Sequence, residues 1–359
     1  MAYRISGTKS ETARIMVLKE SDWSIESNTV IAGSGAYEVD GLESGAKTVV
    51  AETTEGELLA YGNVTAAPPP PGHRGVFAGG TAGYLNVIDY ITISTPGGTA
   101  TDFGDLSVAR YYMAPASNTV RGVFAGGNSA SHDNIIDYIT ISTPANADDF
   151  GDLSVARYSL GGCSNSTRGV FAGGGAFPGG NVIDYITIST PANAENFGDL
   201  FVTRNGSAGC SNSTRGVFAG GTYDNTNQSA IDYITIATLA DADDFGDMAD
   251  DVTTPAACSS STRGVIGGGY GATTGFRTEI EYITILTPSN SIEFGDLTVG
   301  RTVLAATSNS TRAVFAGGGG TNIIDYITIS TGGAATDFGD LSVARTGPAA
   351  CSNGHGGLT

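Results

Sequence analysis

Residues 74–80 read Arg74-Gly75-Val76-Phe77-Ala78-Gly79-Gly80, and after a short variable loop residues 88–95 read Ile88-Asp89-Tyr90-Ile91-Thr92-Ile93-Ser94-Thr95. The phrase continues as Phe103-Gly104-Asp105-Leu106-Ser107-Val108-Ala109-Arg110, passes through a run of small residues, and begins again. Its opening arginine recurs at Arg121, Arg168, Arg215, Arg263 and Arg312, at spacings of 47, 47, 47, 48 and 49 residues. Each repeat carries short apolar or alternating runs punctuated by glycine, the pattern of β-strands and tight turns. In order of appearance the strands are b (Gly75–Ala78), c (Ile88–Ser94) and d (Leu106–Ala109), followed by strand a of the next unit (Met113–Ser117). Four strands in a period of this length predict a propeller blade.

The ends of the repeat array predict how it closes. The first repeat opens on strand b with no strand a before it, and the sixth is followed by an extra strand a, residues 347–353. Returning that strand to the first blade removes the unpaired edge that an open array would leave. The expected fold is therefore all-β: a six-bladed propeller over 74–359 with four strands per blade, closed by the C-terminal strand. A different domain precedes it. Residues 1–66 lack the repeat and read as six short strands, at 3–6, 13–19, 29–32, 36–39, 47–53 and 58–64, which can form a small β-sandwich. Residues 67–73 contain four consecutive prolines, Pro68 to Pro71, a semi-rigid spacer.

Composition narrows the function. The 359 residues include 53 glycines and only 17 Lys+Arg against 36 Asp+Glu, a net charge of −19. That balance argues against nucleic acid and against an anionic membrane surface as partners. No run is long and apolar enough to span a bilayer, and the N-terminus has no secretory signal core. Cys163, Cys210, Cys258 and Cys351 share one repeat position, which predicts buried reduced thiols rather than disulfides.

No catalytic constellation is legible. His73, His132 and His355 have no metal-ligand or triad spacing, and His73 and His355 are expected to be solvated in linker and tail. Six copies of Phe-Gly-Asp are too symmetric for a catalytic acid. The glycine runs end strands and precede no helix, so they are not phosphate loops. Asp224-Asn225-Thr226-Asn227 lacks the full calcium-loop pattern. The chain is expected to be no enzyme, with no cofactor and no metal site. After residue 72 there are 12 arginines and no lysines, 11 of them at two repeat positions, with Arg277 the exception. Antiparallel pairing of c with d predicts within-blade ion pairs Asp89–Arg110, Asp137–Arg157, Asp184–Arg204, Glu281–Arg301 and Asp325–Arg345, exposed and weak. Asp232 would face Val252, without a partner.

Two resemblances add to this. The double glycine (Gly79-Gly80), the Asp89-Tyr90 pair, Phe103, Leu106 and Arg110 resemble a Kelch repeat, with Phe where Kelch repeats carry Trp. Residues 5–8, 13–18, 35–42 and 49–51 resemble a transthyretin-like (carboxypeptidase regulatory-like) β-sandwich, a module also found at the starts of tailed-phage virion proteins. The resemblance implies a virion structural or adhesin protein assembled in the host cytoplasm, anchored to other virion proteins by its N-terminal domain.

The variable segments say where such a protein would bind. Between the last glycine of b and the Ile of c the loops hold 7, 8, 8, 9, 10 and 5 residues, while the a–b turns are nearly constant. Strand alternation puts b–c loops and d–a links on one face, and binding residues concentrate on such loops. The candidate binding residues are Tyr84, Asn86, His132, Asp133, Phe177, Tyr223, Asp224, Asn225, Tyr270, Phe276 and Arg277, for a host-surface glycan or protein. Display as a homo-oligomer would let weak single contacts suffice. The rival readings are a decoration protein without ligand and an intracellular Kelch-like adaptor.

Overall fold

The computed structural model describes residues 73–175 and 180–358, and within residues 3–65 the backbone of the strands. The chain divides into two compact units, Met1–Gly72 and His73–Thr359. In the first, β1 (Tyr3–Lys9), β2 (Ala13–Lys19), β3 (Ile25–Ile31), β4 (Gly35–Leu42), β5 (Ala46–Thr53) and β6 (Leu58–Thr65) form two antiparallel sheets. Their orders are β1-β4 and β3-β2-β5-β6. The polyproline spacer lies outside the described residues.

The described residues of the second unit form six four-stranded antiparallel sheets. Sheet I joins Ala349–Ser352 to Arg74–Gly80, Leu85–Thr92 and Thr101–Asp105, so its first strand comes from the far end of the chain. Sheet II is continuous in sequence: Ala114–Ser117, Arg121–Ala125, Ile135–Thr140 and Asp148–Asp152. Sheets III to VI repeat its order and begin at Gly161–Ser164, Ala208–Ser211, Ala256–Ser259 and Ala305–Ser308. These first strands lie side by side in succession, and Ala349–Ser352 touches both Ala305–Ser308 and Ala114–Ser117.

Each sheet is buried on both faces, which explains why its second strand reads as an unbroken apolar run rather than an alternating one. In Arg74–Gly80 the pleat sends Val76 toward sheet II, against Phe124 and Ile139, and Phe77 toward sheet VI, against Val314 and Ile324. Six such clusters lie between neighbouring sheets. The four cysteines sit in these seams as free, buried thiols, with burial pushing the Cys210 and Cys351 pKa values up to about 12.

The fourth strand differs from expectation. It is Thr101–Asp105, centred on Phe-Gly-Asp, and Leu106–Arg110 has already left the sheet. Leu106 is the pivot: its N–H donates to Asn86 O and its side chain is buried. The following residues cross toward the next sheet. Gly79, at φ 65, turns the end of strand b so that the Gly80 N–H reaches Arg110 O at 3.0 Å.

That crossing corrects the ion pairs. None of the five expected within-blade pairs forms. Arg110 meets Asp137, Arg157 meets Asp184, Arg204 meets Asp232 and Arg301 meets Asp325, at 3.1, 2.6, 3.1 and 2.5 Å, and Arg345 returns to Asp89. Each arginine thus pairs one sheet further on, and these pairs are fully buried rather than exposed. Asp232, expected to lack a partner, has one. The carboxylates gain further donors, such as the Ser107 hydroxyl on Asp137 and the Thr298 hydroxyl on Asp325. Burial lowers the Arg110 pKa from its ordinary value, and the Asp137 charge opposes the shift.

The other arginine of each repeat also reaches across a seam. Arg74 lies over the Tyr90 ring at 4.5 Å and donates to Ile141 O of sheet II at 2.9 Å. The pattern recurs to Arg312, which lies over Tyr326 and donates to Ile93 O of sheet I. Serines bond the first strands to one another. The hydroxyls of Ser164, Ser211, Ser259, Ser308 and Ser352 donate to the carbonyls of Ser117, Ser164, Ser211, Ser259 and Ser308, and Ser117 donates to Ser352 O. The sequence of bonds ends where it began.

The C-terminal tail lies against this serine cycle, which corrects the expectation that His355 is solvated. His355 Nε2–H donates to Ser117 O at 3.1 Å, and Nδ1 accepts the Gly357 N–H at 3.1 Å. These partners define a neutral imidazole. A short 3-10 turn follows at Gly356–Leu358, with Gly356 and Gly357 buried. A side chain at Gly357 would collide with Ser164 O. His73, in contrast, is exposed and contributes its carbonyl to Ile93 N–H.

Two outcomes are expected. Arg345→Met strands a buried Asp89 carboxylate and should lower unfolding stability by about 3–5 kcal/mol, read by chemical denaturation. His355 has its pKa lowered from 6.5 to about 4 by burial. The released tail therefore binds a proton more readily than the docked one, so the docking contribution is complete above pH 6.5 and is lost as pH falls toward 4. Because the residue is half-buried, the loss should be roughly 1–3 kcal/mol. The protection factors of the Gly356 and Gly357 amides, observed exchange divided into the intrinsic rate at each pH, should fall from pH 7 to pH 4, and His355→Gln should remove that dependence.

Candidate binding face

The b–c loops and d–a links meet at the end of the sheets away from the serine cycle. Each link runs beside the loop of the sheet it enters: Tyr111 bridges Asn128, Tyr158 bridges Gly175, Asn205 bridges Thr222 and Thr346 bridges Thr81. In sheet V the contact lengthens to a strand pair, Val252–Thr253 with Tyr270–Gly271.

A second cycle, made only of backbone, joins the links. Ser159 N–H donates to Tyr112 O, Gly206 to Ser159, Thr254 to Gly206, Val303 to Thr254, Gly347 to Val303 and Tyr112 to Gly347, over 2.7–3.2 Å. All six residues have left-handed φ values, from 51° to 70°, although only two are glycine. That backbone aims each N–H and C=O sideways toward its neighbours. For Tyr112, Ser159, Thr254 and Val303 the conformation is strained.

Three small cavities follow one another between the two cycles, of about 70 Å³ at the links, 90 Å³ beside the first strands and 60 Å³ at His355. Each has room for a few waters, well short of the ~300 Å³ that begins the range of small-molecule pockets. None of the three could enclose a small-molecule ligand.

The candidate residues fall into distinct groups there. Tyr84, 46% exposed, packs on Tyr111 with ring centroids 5.6 Å apart. Tyr111 meets Tyr112 at 4.6 Å, Tyr112 meets Tyr158 at 6.2 Å, and Tyr158 meets the exposed His132 at 4.6 Å. Tyr111, Tyr112 and Tyr158 were absent from the sequence-based set because they lie on the fixed-length links. Their signal was the change of residue type at a constant position. Burial raises the Tyr111 and Tyr112 pKa values, so both phenols are protonated donors at neutral pH.

The second group stands on two hairpins. Thr222–Tyr223 and Thr226–Asn227 pair across Asp224 and Asn225, whose φ values of 47° and 59° make a two-residue turn. Asp224 and Asn225 are exposed at its tip. Asn227 Nδ2 donates to Tyr270 O at 2.9 Å, joining this hairpin to that of Tyr270 and Phe276, whose rings are 5.7 Å apart. Tyr223, Tyr270 and Phe276 are 54%, 44% and 62% exposed.

Other candidates belong to the scaffold. Asn86 is half-buried and its carbonyl takes the Leu106 N–H, a bond repeated at Asn134 and Asn181. Asp133 is half-buried, accepts the Ser129 hydroxyl, and its carbonyl receives the Arg157 N–H. Phe177 lies outside the described residues. Arg277 is corrected outright: it is 3% exposed and donates to Glu281 at 2.8 Å, with Glu279 and Asp250 beside it. It supplies the cation that Val252 removes from the repeat position, and the longer Glu281 replaces aspartate to meet it. Among the described residues no group of His, Cys, Asp and Glu is arranged to hold a metal ion, and no helix is long and apolar enough to cross a membrane. No family model and no curated protein sequence matches the chain.

Arg277→Met should therefore act on stability, lowering it by about 3–5 kcal/mol in a denaturant titration through the stranded Glu281. The double variant Arg277→Met with Glu281→Leu should recover most of that loss.

Proposed function

We propose that the second unit is a closed six-bladed Kelch-like β-propeller, and that the chain is a non-enzymatic, virion-associated attachment protein of a tailed phage. In this reading the first unit is a β-sandwich that holds the chain on the particle, and the link face contacts the host surface. The closed-ring part draws support from the bonding that returns to sheet I: Arg345 to Asp89, Arg312 to Ile93, and Ser117 to Ser352. The assignment to a virion rests on the resemblance of residues 5–51 to modules of such particles.

The observation that carries the binding role is the one-sidedness of the scaffold. The serine end repeats nearly unchanged around six sheets, while the link end carries aromatic residues in some sheets and small polar ones in others. Loops that differ on a scaffold that does not are the arrangement of a recognition surface. Exposed Tyr, Phe and Asn side chains supply large contact area and adaptable hydrogen bonds.

The test uses full-length protein and intact bacterial cells from a host panel. Tyr84→Ser with Tyr158→Ser, and Tyr223→Ser with Phe276→Ser, should keep the fold, and at least one pair should lower cell binding tenfold or more. If every variant binds as the parent does, or if the parent binds no cells yet joins particles, the protein is a decoration protein and the attachment reading fails.

A further inference from the structure

We propose that the contiguous rings of Tyr84, Tyr111, Tyr112, Tyr158 and His132 form the contact surface for a neutral oligosaccharide. The inference rests on reading the link face as the binding face and names the ligand class it takes.

The first argument is asymmetry that the scaffold does not require. The six positions equivalent to Tyr112 hold Tyr112, Ser159, Gly206, Thr254, Val303 and Gly347. The bonds made there are between backbone groups, so the cycle closes whatever the side chain. Tyrosine occupies it at φ 61°, where glycine serves in two other repeats without strain. Gly347 leaves the space the ring fills, since a Cβ there would lie 2.6 Å from Tyr112 Cδ1. Ser159, Thr254 and Val303 share that backbone, so what sets Tyr112 apart is a large ring that the cycle does not need, stacked among the neighbouring aromatic rings.

The second argument is charge. All 12 arginines of the second unit are engaged internally: six over tyrosine rings, five in buried pairs between sheets, and Arg277 on Glu281. There are no lysines after residue 72. The link face thus presents no unengaged guanidinium or ammonium to a phosphate, sulfate or carboxylate, and the acidic chain repels such groups. A neutral ligand fits this field.

The third argument is the chemistry of the rings. Aromatic faces carry negative charge density and accept the partly positive C–H face of a pyranose. The phenols and the imidazole have polar tips that exchange hydrogen bonds with sugar hydroxyls. The rings follow one another at centroid spacings of 4.6–6.2 Å, and the cavity beside Tyr112 is too small to swallow a ligand. The saccharide lies across the surface that the packed rings form together.

The experiment presents full-length protein to an immobilised panel of neutral glucose, galactose, mannose and N-acetylglucosamine oligomers, with sialylated and sulfated oligosaccharides alongside. Binding to at least one neutral oligomer is expected, with none preferred among the anionic ones. Tyr112→Gly removes the ring and relieves the backbone, so it should lower that binding at least tenfold while the melting temperature stays level or rises. Tyr84→Ala should weaken binding as well. No binding to any neutral oligomer, or binding indifferent to both variants, overturns the proposal. Host cells separate this failure from that of the wider reading. Attachment that survives periodate, is lost to protease and depends on the link-face residues overturns the saccharide and leaves the face. Attachment indifferent to the link-face residues overturns both.

Discussion

Each of the five buried arginines at the repeat position, Arg110, Arg157, Arg204, Arg301 and Arg345, belongs by its backbone to one sheet and by its guanidinium to the next. The Arg110 carbonyl takes the Gly80 N–H of sheet I, while its side chain reaches Asp137 of sheet II. A charge removed from water costs several kcal/mol unless it is paired and hydrogen-bonded. The sheets therefore have one spacing and one relative register at which each buried guanidinium meets its carboxylate. The apolar seams alone, lined by interchangeable Val, Ile and Phe, would tolerate small slips. The ion pairs penalise them, so they specify the arrangement of the sheets more than they raise its stability.

The two ends of the first strands use different bonding for the same purpose. At one end serine hydroxyls link neighbouring strands, and this demands a particular side chain six times over. At the other the backbone does the linking, which frees six side chains to vary. The variation seen in the links follows from that difference. A position whose side chain carries no structural duty can hold Tyr112 in one repeat and Gly347 in another, provided the left-handed backbone is tolerated.

Much of this was legible in the repeat. The strand order, the return of the last strand to the first sheet and the reduced thiols follow from spacing and composition. The partner of each arginine did not follow, and the reason is translational. In a repeating chain, the aspartate of the same unit and that of the next stand at equivalent positions. Periodicity cannot distinguish them; only the crossing path of Leu106–Arg110 does. The position of the fourth strand is ambiguous in the sequence for a related reason, since both Phe-Gly-Asp and Leu-Ser-Val-Ala have strand-like character. Arg277 was legible in principle. The one arginine off the repeat, the one valine at an arginine position and the one glutamate at the aspartate position are three exceptions that cancel. Read singly, each looked like variation. His355 left no signal, because docking of a glycine-rich tail depends on a surface that only the assembled strands create.

The pairing of Ala349–Ser352 with Arg74–Gly80 has a consequence for the order of folding. Sheets II to VI are each contiguous in sequence and can form from local contacts soon after their residues are made. Sheet I cannot, because its first strand lies some 270 residues beyond its second. Contacts of such separation are slow to form. Until the end of the chain arrives, the apolar strand Arg74–Gly80 is an open edge, the kind of surface on which other chains nucleate. The interval before the last strand docks is thus the time at which the chain is most exposed to misassembly, and the Asn353 side chain that receives the Arg74 N–H at 2.8 Å marks its close.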